Sequence, residues 1–363
     1  TEYLAAGSVL IQASASSAVE DGALTAFSGA SGKLFAKVSV PDYGAFFVSY
    51  AASHPFFQGY SGSGTPPAAA DPYEPDYALS ELHWSFDIAK TLFVRLGNQL
   101  VSWGPSRVWS PVDFINLERA DSFAEIDTRA GKSVLRLHLP LGRANAFAFA
   151  DFSGMTADGS YGDPAETVNL AGRIDTAAGG FEFGLTGYGG RHAMPRFGAD
   201  FSGRLFASTV WGEVALTSAH AMEDSALEAS LGFSRALGDL RNWTLSAEGF
   251  YNSDGKDLSG YTASTIFTLA AAERTPLYQG SWYAYVSLAA DDLFSPSLAT
   301  SLSALANLED RSYSVKLSED FSFPRAVPCT LAAAWTGGGE NREFTRFAGN
   351  NALALTLSTK IEF

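Results

Sequence analysis

Apolar and polar residues alternate along most of this chain, and the alternation is cleanest at its end. Leu353, Leu355, Leu357, Thr359, Ile361 and Phe363 occupy one set of alternate positions. Ala354, Thr356, Ser358, Lys360 and Glu362 occupy the other. Period two sends successive side chains to opposite faces of a strand. The segment is therefore predicted to be a strand with one apolar and one polar face. Its last residue is an aromatic on the apolar face, where the end of a soluble domain usually frays as polar chain.

The same period recurs upstream. Tyr77–Ile88 sets Leu82, Trp84, Phe86 and Ile88 against Glu81, His83, Ser85 and Asp87. Thr91–Val101 sets Leu92, Val94 and Leu96 against Arg95, Gly97 and Gln99. Lys132–Leu139 sets Leu135, Leu137 and Leu139 against Lys132, Arg136 and His138. Taken from Tyr3–Ser14 to the terminal segment, the pattern predicts about eighteen strands, or sixteen if the first pair is a hook or plug. The third strand is read as Ala45–Ala52, with Ser53–Asp76 a loop rich in Pro, Gly and Ser. Thr167–Asp175 is read as the eighth. Tyr261–Leu269 is assigned to a long loop.

Connections alternate in length. Short turns at Pro41–Gly44, Ala89–Lys90, Pro140–Gly142 and Thr176–Gly180 are interleaved with longer polar segments, of which Ser102–Ala130 is the longest. Short turns on one side and long loops on the other are the habit of transmembrane barrels. The fold expected is all-β: one transmembrane antiparallel β-barrel over residues 1–363, with short periplasmic turns and long outer loops. The segment 102–130 is a candidate for folding into the lumen.

Composition narrows this further. The chain has 363 residues, 46% of them hydrophobic and only 17% charged. No run approaches the ~18 consecutive apolar residues that a spanning helix needs, whereas spanning strands need only ~9–11. The non-apolar face is rich in Ser, Thr and Gly, which suits a water-filled lumen better than the Lys-rich face of a soluble sandwich. A net charge of −15 argues against a nucleic-acid partner, because phosphate binding needs a basic surface. The single Cys329 cannot form an internal disulfide. Trp243, Trp282 and Trp335 all fall on the apolar face near expected strand ends, where indole rings favour a membrane interface.

Three stretches carry a resemblance. The closing Leu-Ser-Thr-Lys-Ile-Glu-Phe363 resembles the C-terminal signal of Gram-negative outer-membrane barrels. Arg95-Leu-Gly-Asn-Gln-Leu-Val-Ser-Trp-Gly-Pro105, continued by Ser110-Pro-Val-Asp-Phe-Ile-Asn116, resembles a strand-and-loop signature of porin-like outer-membrane families. Leu117 stands where that signature has Pro. Asn307-Leu-Glu-Asp-Arg-Ser312 resembles an outer turn of spirochaete-type barrels. The resemblance implies the outer membrane of a Gram-negative-type (diderm) bacterium, contact with its lipids, and recognition of Phe363 by the barrel-assembly machinery. It implies a porin for passive diffusion of small hydrophilic solutes or ions, without a cofactor, as a monomer or an oligomer. The alternative is a surface adhesin or structural protein with a plugged barrel.

The polar faces supply the candidate site. Arg95 and Gln99 share one, and Lys132, Arg136 and His138 share the next. Antiparallel pairing should bring Arg95 level with Arg136 and His138. Such a basic wall would face the mixed charges of the long loop, Arg107, Glu118, Arg119, Asp121, Glu125 and Asp127, across a constriction. Arg173 and Arg204 extend the lining, with Glu213 among further lumen-facing residues. The competing reading is that the arginines pair with Glu81, Asp87 or loop carboxylates and brace the wall. Loop aromatics Phe56, Phe57, Tyr60, Tyr73, Trp103 and Trp109 would stack on sugar rings or pack on one another. An enzyme is not expected. The five histidines are dispersed, and no nucleophile elbow, zinc-helix motif or phosphate-cradling loop is present. Asn252–Asp257 lacks the ligand spacing of a calcium loop and is read as a polar turn.

Overall fold

The computed structural model describes residues 1–18, 24–61, 75–115, 130–153, 167–191, 193–218, 225–238, 242–255, 280–293, 295, 297–323, 327–340, 342–345 and 350–363. Among them, eighteen strands form one sheet. In chain order these are β1 (Glu2–Ala18), β2 (Leu24–Val40), β3 (Gly44–Ser61), β4 (Asp76–Ile88), β5 (Leu92–Gln99), β6 (Lys132–Leu141), β7 (Ala144–Asp151), β8 (Asn169–Ala178), β9 (Phe181–Gly189), β10 (Arg196–Leu205), β11 (Ser208–Thr217), β12 (Ala226–Leu237), β13 (Trp243–Asn252), β14 (Trp282–Asp291), β15 (Leu298–Asn307), β16 (Tyr313–Phe323), β17 (Val327–Gly337) and β18 (Ala352–Glu362).

Consecutive strands pair, and β1 pairs with both β2 and β18. The closing seam is antiparallel and runs from Ser8 opposite Glu362 to Ala18 opposite Ala352. Gly7 and Phe363 exchange both backbone hydrogen bonds, at 2.8 and 3.0 Å, so the ladder reaches the last residue. A sheet closed in this way has no free edge. The first pair of strands is wall, so eighteen is the strand number and sixteen is not.

Alternation sorts the two faces. Leu170, Ile174, Leu185, Phe197, Leu231, Val286, Leu317 and Leu355 stand exposed on one face. So much exposed apolar surface is foreign to a water-soluble protein. Facing hydrocarbon it is the expected covering of a transmembrane barrel. Trp282 and Trp335 lie exposed on this face, and Tyr251 pairs opposite Trp282 with ring centroids 4.5 Å apart. Among the described residues no helix is long and apolar enough to cross a membrane. The fold is a closed antiparallel transmembrane β-barrel.

Three boundaries depart from the sequence reading. β3 continues to Ser61, so His54, Phe56 and Phe57 are strand residues and not loop. Pro55 disguised the strand because it donates no backbone hydrogen bond. β5 stops at Gln99, short of Val101. There side chains replace the ladder: Gln99 Nε2 donates to the Val134 carbonyl at 2.9 Å, and Glu81 Oε1 accepts the Leu100 N–H at 3.0 Å. β8 starts at Asn169 and runs to Ala178, three residues beyond the expected Asp175. Tyr261–Leu269 and Tyr73 lie outside the described residues.

The turn Ala89–Lys90 shows how a short connection is made without glycine. Both residues have positive φ, 55° and 56°. This is the twist that a two-residue hairpin needs. Asp87 Oδ1 accepts the Lys90 N–H at 2.8 Å and holds the reversal.

The chain divides into two compact units, one of Thr1–Ala6, Leu34–Ala51 and Ala78–Gly232, the other of Gly7–Lys33, Ala52–Tyr77 and Phe233–Phe363. The first contains the long connection after β5. The second contains the β1–β18 seam and a buried polar cluster around the turn after β15. In that cluster Glu343 Oε2 accepts from the Tyr283 hydroxyl at 2.6 Å and from Asn307 Nδ2 at 2.7 Å. Asp310 accepts from the Ser312 N–H and hydroxyl and from the Glu343 N–H, at 2.8, 2.7 and 2.8 Å. Glu309 Oε2 accepts the Ser281 N–H at 2.6 Å. The motif Asn307–Ser312 thus ties the connections that carry Ser281 and Glu343 together by backbone and side-chain bonds.

A charge on the lipid face should be costly. Leu185 is 63% exposed in the middle of β9. Leu185→Arg is expected to lower folding stability in lipid vesicles by ~2–4 kcal/mol. Equilibrium urea titration checks this, and unchanged stability would contradict the assignment of that face to lipid.

Candidate functional site

The polar face of β4, β5 and β6 carries a compact basic group. Pairing places Arg95 directly opposite Arg136, Ser85 opposite Arg95, and Phe93 opposite His138. Arg95 Nε donates to Ser85 Oγ at 3.1 Å. The Arg136 guanidinium carbon lies 5.1 Å from the Phe147 ring centroid and 5.8 Å from that of Phe149. His138 stacks on Phe147 at 4.4 Å with 13° between the ring planes, and its Nε2 is 3.0 Å from Asn145 Oδ1. Among the described residues no carboxylate forms an ion pair with Arg95 or Arg136. They open onto a recess of about 960 Å³ beside the short turns after β2 and β4. Lys90 adds to the basic side of this recess, and Glu2, Asp42 and Asp87 line it from the acidic side.

Arg173 has a different setting. Its guanidinium makes a two-pronged bond to Asp200, at 2.6 and 2.9 Å. Its Nε reaches Asp175 at 2.6 Å, and it donates to Thr186 Oγ1 at 2.9 Å. Paired carboxylates neutralise the charge and fix its geometry. Arg173 therefore braces β8, β9 and β10, which is the role the sequence held open as the competitor to pore lining. Nearby Arg143, Asn145, Glu182 and Ser202 border a smaller cavity of about 450 Å³.

The segment Val101–Ile115 has neither helix nor strand. Val101, Trp103, Val112, Phe114 and Ile115 are buried against Val134, Phe149, Ala171 and Ala215. These wall residues belong to β6, β7, β8 and β11, on the face opposite the exposed leucines. Trp103 meets Phe149 edge-on at 4.9 Å. Trp109 is fully buried. Both tryptophans are packing residues and are not open to a sugar ring.

The remaining expected residues are dispersed. Gln99 is fully buried under the start of the long connection and serves the β6 backbone, so it does not line a passage. It is displaced from that role because the ladder ends there and its amide completes the backbone pairing. Lys132 pairs opposite Gln99, Arg107 lies over the Trp211 ring, and Arg204 is exposed near the short turn after β10. Glu118, Arg119, Asp121, Glu125 and Asp127 lie outside the described residues. Phe147, Phe149 and Asp200 were not anticipated. β7 held the signal, since its large residues Asn145, Phe147 and Phe149 alternate with alanines and so point away from lipid. Among the described residues, no group of three or more His, Cys, Asp or Glu is placed to hold a metal ion.

Comparison with solved structures agrees with the fold. OccK2 (OpdF) of Pseudomonas aeruginosa superposes with a TM-score of 0.64 at 12% identity, covering 100% of this chain and 98% of that one. The same protein in complex with glucuronate gives 0.61 at 11%, covering 100% and 98%. The outer membrane protein opdK of Pseudomonas aeruginosa gives 0.59 at 12%, covering 99% of each chain. At such identity the likeness is one of fold alone. No family model and no curated protein sequence matches the chain.

The two kinds of arginine should respond differently to removal. Asp200 is buried, with 6% side-chain exposure against 10% for Arg173. Arg173→Met strands that carboxylate and is expected to lower stability by ~3–5 kcal/mol. Arg95→Met and Arg136→Met are expected to shift it by less than ~1 kcal/mol, because they break no ion pair among the described residues. Urea titration of the three variants ranks them, and equal losses would refute the division.

Proposed function

We propose that the protein is an outer-membrane porin of a diderm bacterium, passing small hydrophilic solutes passively down their gradients. A single observation carries the reading: Arg95 and Arg136 face each other across adjacent strands without an ion pair to any carboxylate among the described residues, beside an open recess. Arginines spent on bracing look like Arg173. Unpaired ones on the inner face of a closed barrel are available to a passing solute. A barrel of this strand number is wide enough for an aqueous channel.

The solute class that fits is polar, with an acidic or strongly dipolar group for the Arg95–Arg136 side. A neighbour of similar fold has been solved with glucuronate, an acidic sugar, which agrees with this choice. The inward position of Val101–Ile115 makes that segment the natural constriction. The charged residues from Glu118 to Asp127 lie outside the described residues and belong to the proposed lining on their sequence alone. The C-terminal Phe363 on the lipid face serves insertion by the assembly machinery, and the Asn307–Ser312 turn supports kinship with spirochaete-type barrels. No reaction and no cofactor enter this reading.

Planar-bilayer recording tests it. The purified barrel is expected to conduct in simple salts. Arg95→Glu with Arg136→Glu is expected to move the reversal potential in a salt gradient toward cation preference, with the barrel still folded. Absence of conductance from folded protein would sink the channel and leave the plugged, adhesin-like alternative. Conductance with an unmoved reversal potential would remove the arginine pair from the site.

A further inference from the structure

Apolar packing holds Val101–Ile115 against the wall but does not fix where it lies, because hydrophobic contact is non-directional. Two directional bonds come from one residue of β11. Glu213 is 4% exposed. Its Oε1 accepts the Ser106 backbone N–H at 2.8 Å, and its Oε2 accepts the Val112 backbone N–H at 3.2 Å. Both donors lie in chain without regular structure. Binding them to one carboxylate folds that stretch back on itself. Gly104, with φ 87°, passes so close that a β-carbon there would collide with the carboxylate. Neighbours secure the same bend: Ser106 Oγ is 2.7 Å from Ser230 Oγ, and the Arg107 guanidinium carbon is 4.5 Å from the Trp211 ring centroid.

We infer that Glu213 is the positioning residue of the inward segment, and that its carboxylate sets how far Gly104–Val112 projects from the wall. Among the described residues no Lys or Arg forms an ion pair with it. Its two oxygens are therefore spent on loop backbone amides and not on a basic partner in the wall. Backbone amides bound to a carboxylate make stronger bonds than neutral pairs do. Buried amides of irregular chain must find such partners. The consequence for permeation rests on the channel reading above, whereas the placement of the segment does not.

Glu213→Gln is the near-isosteric test. A glutamine amide keeps one acceptor oxygen and presents an N–H to the other loop amide, so one bond is lost and one repulsion gained. Ser106→Cys with Ser230→Cys, in a chain also carrying Cys329→Ala, reports the placement as a disulfide. The assay is confined to the folded band that changes mobility on boiling. With Glu213 present the pair is expected to close under mild oxidant. With Glu213→Gln closure should slow roughly tenfold, the factor for losing one hydrogen bond to a charged group. Gly104→Ala, which intrudes on the carboxylate from the other side, should act in the same direction. In bilayers both variants should show conductance steps absent from the parent protein. Unchanged cross-linking and unchanged conductance in both variants would overturn the inference. A parent protein that conducts nothing, but whose cross-link still depends on Glu213, would remove the channel and leave the positioning role standing.

Discussion

Inside a hydrocarbon layer each backbone N–H and C=O must find its partner within the protein, since water is absent. That requirement organises this molecule. It forces the strands into one closed sheet, and closure makes the chain ends structural. The Gly7–Phe363 pair extends the β1–β18 ladder to Phe363, so that residue belongs to the wall. It also explains Gln99. Where the ladder stops, the backbone still demands partners, and a polar side chain with the right reach supplies them.

Closure then separates the two jobs of a strand. Outward positions answer only to lipid, so leucine serves almost anywhere along them. Inward positions answer to the long connections and to whatever passes. β7 illustrates the point, with alanines facing out and Asn145, Phe147 and Phe149 facing in. Those rings support three things at once: Arg136 through its cation face, His138 by stacking, and Trp103 of the inward segment. The same aromatic patch therefore links the basic wall to the segment that would narrow the path. A change in Phe149 would be felt on both.

The wall was legible in the sequence because period two survives in single strands. Short turns and long connections then fixed the strand number. Arg95 sharing a face with Arg136 also followed, because alternation puts each on the polar side of its strand and the two strands pair antiparallel. Other features had no local signature. Pro55 concealed the outer half of β3. Gln99 looked like lining because alternation gives the face but not what later covers it. Arg173 and Arg136 looked alike, and only the meeting of β8 with β10, through Asp200, told them apart. Glu213 was one inward carboxylate among several. Its bonds to Ser106 and Val112 depend on chain more than a hundred positions earlier, which no periodicity reveals.

The Arg95–Arg136 pair carries an argument of its own. Like charges directly opposite on neighbouring strands are destabilising. The electron-rich ring faces of Phe147 and Phe149 offset part of the repulsion for Arg136. Ser85 offers Arg95 a neutral acceptor and no countercharge. A dry, sealed interior would demand a carboxylate here, as it does at Arg173. Two cations without an ion pair among the described residues are tolerated more readily where water or a mobile anion can reach them. That is the physical support for the proposed solute path beside the recess that both arginines line.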